Sequence, residues 1–143
     1  MSSELEAKES IRELLHTYCH RIDAGDYEGW SQLFADDAEF ITPGGELCAG
    51  RDAILAWVRT AVPPPSAGVA RKHLTVNTIV DVEGATAARA LSNVLVVRAA
   101  AQGPMIMAGR YEDRLVRDGS SWRFQRREAH IDLVAGDLGP PSR

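Results

Sequence analysis

The sequence predicts an α+β fold, a cone-shaped barrel in which a strongly curved antiparallel sheet wraps around a long N-terminal helix, with two further short helices. Three observations carry this expectation. Apolar residues recur at helical spacing over the first twenty or so positions, every helical pattern lies before Pro63-Pro64-Pro65, and four long β-branched-rich runs follow Lys72. Helices on one side of the chain and a continuous meander on the other must bury their apolar faces against each other.

Ser3-Glu4-Leu5-Glu6 has the Ser-x-x-Glu form of a capping box, and Ile11, Leu14, Leu15, Tyr18 and Ile22 continue one apolar stripe. Gly25 suits a left-handed cap, and Asp26 can start a short second helix carrying Trp30, Leu33 and Phe34, ending at Asp36-Asp37. Ala38 to Ile41 reads as a short strand and Pro43-Gly44-Gly45 as a turn. Gly50-Arg51-Asp52 opens a third helix with Ile54, Leu55, Trp57 and Val58 on one face. The stretch 63–68 reads as a mobile loop. The four strand runs cover about 72–82, 86–99, 104–117 and 121–133, joined at Glu83-Gly84, Gln102-Gly103 and Asp118-Gly119.

A chain of 143 residues fits one domain, 1–143, with an ordered core of about 3–135 and a frayed tail over 136–143. Hydrophobic residues at 45% and charged residues at 25% exclude wholesale disorder. Sixteen basic residues against twenty acidic, scattered rather than clustered, argue against a nucleic-acid partner. No apolar run is long enough for a membrane span and the acidic N-terminus is unlike a signal peptide, so a cytoplasmic protein without a membrane partner is expected. Cys19 and Cys48 form no CxxC and are expected to be reduced and semi-buried.

The side chains able to do chemistry are the four histidines, the carboxylates on inward faces, and Tyr18. His16 and His20 are four residues apart on the first helix, but a zinc-protease glutamate and a third ligand are missing, so no metal is expected. Tyr18 falls in the apolar stripe, where its hydroxyl needs a partner. Asp23 sits at the C-terminal end of that helix, where the dipole favours cations, so either a specific partner or exposure is expected. Alternation places His73, Thr75, Asn77 and Ile79 on one face of the first long strand, opposite Leu74, Val76 and Thr78. A histidine held by a carboxylate has a fixed tautomer, which a general base needs, whereas a lone strand histidine is a structural residue. In the last strand a β-bulge would swap faces partway, leaving open whether Arg126 or Arg127 points inward. The alternating charges of Gly109-Arg110-Tyr111-Glu112-Asp113-Arg114 read as an exposed strand face.

Tyr18 to Asp23 with Gly25-Asp26, Leu33-Phe34-Ala35-Asp36-Asp37-Ala38, Gly50-Arg51-Asp52-Ala53-Ile54, His73 with Asn77, Gly109 to Asp113 and Trp122-Arg123-Phe124 together resemble the SnoaL-like branch of the nuclear transport factor 2-like superfamily. The resemblance covers nearly the whole chain. It matches Asp23 and His73 to the aspartate-histidine pair of scytalone dehydratase, hexachlorocyclohexane dehydrochlorinase and bile acid 7α-dehydratase, and Arg127 to an active-site arginine of the dehydrochlorinase. The central run from Ser92 to Val97 lacks the sheet aspartate of the bile acid enzyme. The resemblance implies a lyase without a cofactor, of dehydratase or dehydrohalogenase type, acting on a small hydrophobic cyclic molecule. Asp23, His73, Tyr18 and Arg127 are then the expected catalytic residues. Trp30, Phe34, Phe40, Trp57, Asn77, Met107 and His130 are the expected substrate contacts. The alternatives are a non-catalytic small-molecule-binding module, or isomerase or polyketide-cyclase chemistry with the same base. Apolar rows on the outer sheet face, Leu74 with Val76 and the 94–97 run, suggest a homodimer or homotrimer.

Overall fold

A computed structural model describes residues 3–100 and 103–135. The long helix α1 (Glu4–Ala24) starts at Ser3, whose hydroxyl accepts from the Glu6 amide while the Glu6 side chain accepts from the Ser3 amide, and ends at Gly25 with φ of 77°. Capping box and left-handed cap are both as the sequence predicts. Its buried stripe, Ala7, Ile11, Leu14, Leu15, Tyr18, Cys19 and Ile22, lies against the sheet.

Helix α2 (Tyr27–Ser31) is shorter than the pattern suggested. The chain turns at Gln32-Leu33 and enters strand β1 (Phe34–Ile41), so Phe34 and the Asp36-Asp37 pair belong to a strand rather than a helix. The reason is tertiary. The Phe124 amide donates to the Leu33 carbonyl and Phe34 pairs with Phe124, so the last strand pulls this segment into the sheet. A three-residue strand β2 (Leu47–Ala49), unmarked in the sequence, returns along β1, and helix α3 (Arg51–Ala61) follows. Within the stretch read as a loop, Pro65–Ala67 forms a single 3₁₀ turn.

Strands β3 (Arg71–Val82), β4 (Ala87–Arg98), β5 (Met105–Asp118) and β6 (Ser121–Ala135) form the antiparallel meander. The open six-stranded sheet has the order β2-β1-β6-β5-β4-β3, and β1 runs parallel to β6. That parallel pair makes the whole sheet mixed, beside the antiparallel meander that the sequence predicts. Gln102 and the tail 136–143 lie outside the described residues.

Three irregularities set which side chains face the helix. In β3 the register slips between Val76 and Ile79, with Asn77 at φ 55°. His73 and Thr75 point inward before the bulge. After it the inward residue is Val80, and Ile79 is 61% exposed. Asn77 and Ile79 therefore leave the row of His73, and Thr78 turns inward to bond Ser92 at 3.0 Å, contrary to simple alternation. In β6, Leu115 pairs with Phe124 but Arg114 with Arg126, so Gln125 is the extra residue and Arg127, not Arg126, faces in. A second slip at Gly109 lets the β6 backbone approach so closely that a Cβ there would meet the His130 carbonyl oxygen at 1.8 Å.

The core joins the α1 stripe to a cluster of Trp30, Phe34, Phe40, Trp57 and Phe124. Cys19 and Cys48 are free and buried. No described helix is long and apolar enough to cross a membrane.

Candidate active site

Helix α1 and strand β3 meet where α1 ends, and there the Asp23 carboxylate holds His73 twice. The His73 backbone N–H donates to Oδ2 at 2.8 Å, and ring Nδ1 lies 2.6 Å from Oδ1. Both side chains are 11% exposed. These bonds compensate a carboxylate that the helix dipole disfavours at this end. A carboxylate can only accept, so Nδ1 carries the proton and Nε2 is left with the basic lone pair.

His73 lines a cavity of about 380 Å³, together with Tyr18, Phe40, Trp57, Met107 and Tyr111. Ile22, Val94, Val96, Ala129 and Ile131 add apolar wall from the helix and the sheet. A cavity of this volume suits a small molecule, and its wall of apolar side chains with a few polar groups is what such sites share.

Beneath Tyr18 lies the second polar centre. Arg127 is fully buried and donates through Nε to Asp113 Oδ1 at 2.8 Å and through Nη2 to Oδ2 at 3.0 Å. Its guanidinium carbon sits 3.7 Å from the Tyr111 ring centroid and 4.3 Å from those of Tyr18 and Phe124. Nη1 has no hydrogen-bond partner among the described residues. The aromatic faces around the guanidinium supply part of what a partner would. Burial raises the Tyr18 phenol above its ordinary pKa, with the Arg127 charge acting the other way, and burial raises Tyr111 further. Both phenols are protonated donors near neutrality, and the cation makes the Tyr18 hydroxyl a stronger one.

The SnoaL-like domain family matches residues 3–128. The chain belongs to this family. As a SnoaL-like domain it superposes on a candidate scytalone dehydratase from Novosphingobium aromaticivorans with a TM-score of 0.78 at 24% identity, covering 92% of this chain and 87% of that one. A hexachlorocyclohexane dehydrochlorinase gives 0.81 at 17% identity over 97% of each chain. A protein of unknown function from Mycobacterium tuberculosis gives 0.81 at 28%, over 96% of this chain and 83% of that one. The first two likenesses, below a quarter identity, are of fold alone. No curated protein matches.

The SnoaL-like fold thus brings Asp23, His73 and Tyr18 together, with Phe40, Trp57 and Met107 in the same cavity wall. It does not bring Arg127 to that wall, because Asp113 and the aromatic rings enclose it. Trp30 and Phe34 are fully buried behind the cavity and do not line it. Asn77 sits exposed at the β3 bulge. His130 projects from the outer face with Nε2 3.2 Å from both Glu112 and Glu128, away from the cavity. The structure also corrects the reading of 109–114 as an exposed face. Tyr111 and Asp113 are 4% exposed. The period-two series Tyr111, Asp113, Leu115 was the signal, obscured by the charge on Asp113. Arg71 and Arg98, also in the cavity wall, went unremarked, although Arg71 stands two residues before His73 in the same row.

Proposed function

We propose that this SnoaL-like domain is a cofactor-independent lyase that removes a proton from a small hydrophobic cyclic substrate. The observation that carries the reading is the 2.6 Å contact between Asp23 and a histidine that lines a partly open cavity with mainly apolar walls. The fold neighbours include a dehydrochlorinase and a candidate dehydratase, so elimination is the first use of this base to test.

In this mechanism His73 Nε2 takes the proton from a carbon next to the leaving group. The C–H electron pair becomes the new C=C bond as the bond to the leaving group breaks. A halide departs as the anion, and a hydroxyl departs as water after taking the proton back from the imidazolium. Asp23 fixes the ring and stabilises its positive charge, while the Tyr18 hydroxyl donates to negative charge developing on the substrate. Arg127 acts only through Tyr18, as a buried positioning residue.

The test is a panel of chlorocyclohexanes and cyclic β-hydroxy ketones, followed by mass spectrometry for loss of hydrogen chloride or water. His73→Ala and Asp23→Asn are each expected to lower turnover by about 10²-fold or more with the unfolding midpoint largely kept. Full turnover in either variant overturns the mechanism. A product of unchanged mass assigns the same base to isomerisation or cyclisation, and saturable binding without turnover that Asp23→Asn leaves unchanged assigns the cavity to a binding module.

A further inference from the structure

Within the cavity wall two arginines stand opposed without an acid paired to either among the described residues. Arg71 and Arg98 are directly opposed across the β3–β4 ladder, and each faces inward, Arg71 in the row of His73 and Arg98 in the row of Val94 and Val96. Like charges directly opposed on neighbouring strands destabilise a sheet. No ion pair offsets this, although Tyr27 and Asp23 lie close enough to favour the Arg71 charge. Arg71 Nη1 donates to the Pro63 carbonyl at 2.9 Å. Arg98 donates through Nε and Nη2 to the Met105 sulfur at 3.4 and 3.2 Å, and a thioether is a weak acceptor.

Neither guanidinium is in an ion pair among the described residues. Asp23 has both oxygens committed to His73, and among the described residues the one carboxylate in the cavity lining is Glu46, which is exposed. Burial holds the Arg71 guanidinium below its ordinary pKa, with Tyr27 and Asp23 acting the other way and the Arg98 charge adding to the lowering. Two half-buried cations beside apolar walls suit a carboxylate, which takes paired N–H donors in geometry that an ammonium or a neutral group does not match.

We infer that the cavity binds an organic anion, a hydrophobic ring compound whose carboxylate lies between Arg71 and Arg98 while the ring extends past His73 toward Trp57 and Met107. This deepens the lyase reading by naming the substrate class of the same site, and rests on it only for the role of His73. Along a strand, two residues separate the Arg71 and His73 backbones by about 7 Å, so one small molecule can reach both side chains. The pair would fix which carbon meets Nε2.

The test compares 2-naphthoate with methyl 2-naphthoate, of the same ring and no charge, by titration calorimetry on the full chain. The acid is expected to bind about tenfold tighter than the ester, as charge-assisted hydrogen bonds imply. Arg71→Gln with Arg98→Gln is expected to bring the acid down to the ester while leaving the ester unchanged. Should the double variant not fold, Arg98→Gln alone is expected to remove part of the preference, and added sodium chloride to weaken the acid but not the ester. Equal affinity of acid and ester, no binding of the acid, or a preference that survives the substitutions or the salt overturns the inference. Asp23→Asn separates the two readings. A carboxylate preference kept in that variant, with no turnover by the native chain of any panel compound or of their ring-carboxylate counterparts, removes the lyase reading and leaves the anion site standing. Turnover of neutral substrates without a carboxylate preference does the reverse.

Discussion

Arg127 carries its charge into a place closed to solvent, and its energetics depend on Asp113 more than on any ligand. The two side chains are 0% exposed and share two hydrogen bonds, so removing one leaves the other buried and unpaired. Breaking such a pair costs about 3–5 kcal/mol, whereas replacing both partners by apolar residues of similar volume is near neutral. Asp113→Ala is therefore expected to lower unfolding stability by about 4 kcal/mol in a denaturant titration, and Asp113→Leu with Arg127→Met by much less. Equal losses in the two would show that the pair contributes specific stability of its own. The sequence could not reveal this partnership. Asp113 lies among alternating charges that look solvated, and only the Gln125 bulge turns Arg127 toward it. Asp23 and His73 are different. Fifty residues separate them, and no local rule joins them, but a carboxylate at the wrong end of a helix and a histidine opening an amphipathic strand each signalled an unmet requirement.

Elements divide by whether their cause is local. The start of α1 is fixed by Ser3 and Glu6 through bonds spanning three residues, so sequence pattern and structure agree. Ser3→Ala is expected to cost about 1 kcal/mol, read as a shift in the denaturant midpoint. Strand β5 is set by its neighbour instead. Gly109 has no need of a left-handed conformation. It is glycine because the His130 carbonyl occupies the space a Cβ would take. Gly109→Ala must displace backbone, and a loss of about 3 kcal/mol or more is expected, together with changed amide exchange around His130 and Ile131. A midpoint within experimental error of the native protein would show that the β5–β6 bulge is not held by this contact. The shortening of α2 has a similar origin, since β6 draws Phe34 into the sheet before helix propensity can extend.

At the scale of the molecule, wrapping the sheet around α1 buries the phenols of Tyr18 and Tyr111, and this limits the alkaline range of the fold. Burial raises both above their ordinary value of 10.0, so the folded chain keeps protons that the unfolded chain releases. The contribution of these groups to stability is complete below pH 10.0 and is lost as pH rises through their folded values. In an alkaline titration, phenolate absorbance from Tyr18 and Tyr111 is expected to appear only together with loss of the folded circular-dichroism signal. Reversible ionisation of all three tyrosines near pH 10.0 in the folded state would contradict their enclosure.

Local pattern is enough for the helix-then-meander order, the capped long helix, the glycine turns at Gly84 and Gly119, and the inward course of Tyr18, because each follows from contacts a few residues apart or from a repeating period. The tertiary structure alone decided that β1 lies parallel to β6, that Asn77 and Ile79 leave the inner row, and that Arg127 pairs with Asp113 rather than facing the cavity. A single extra residue in a strand reverses every side chain beyond it, and where that residue falls is settled by the fit of distant strands around the helix.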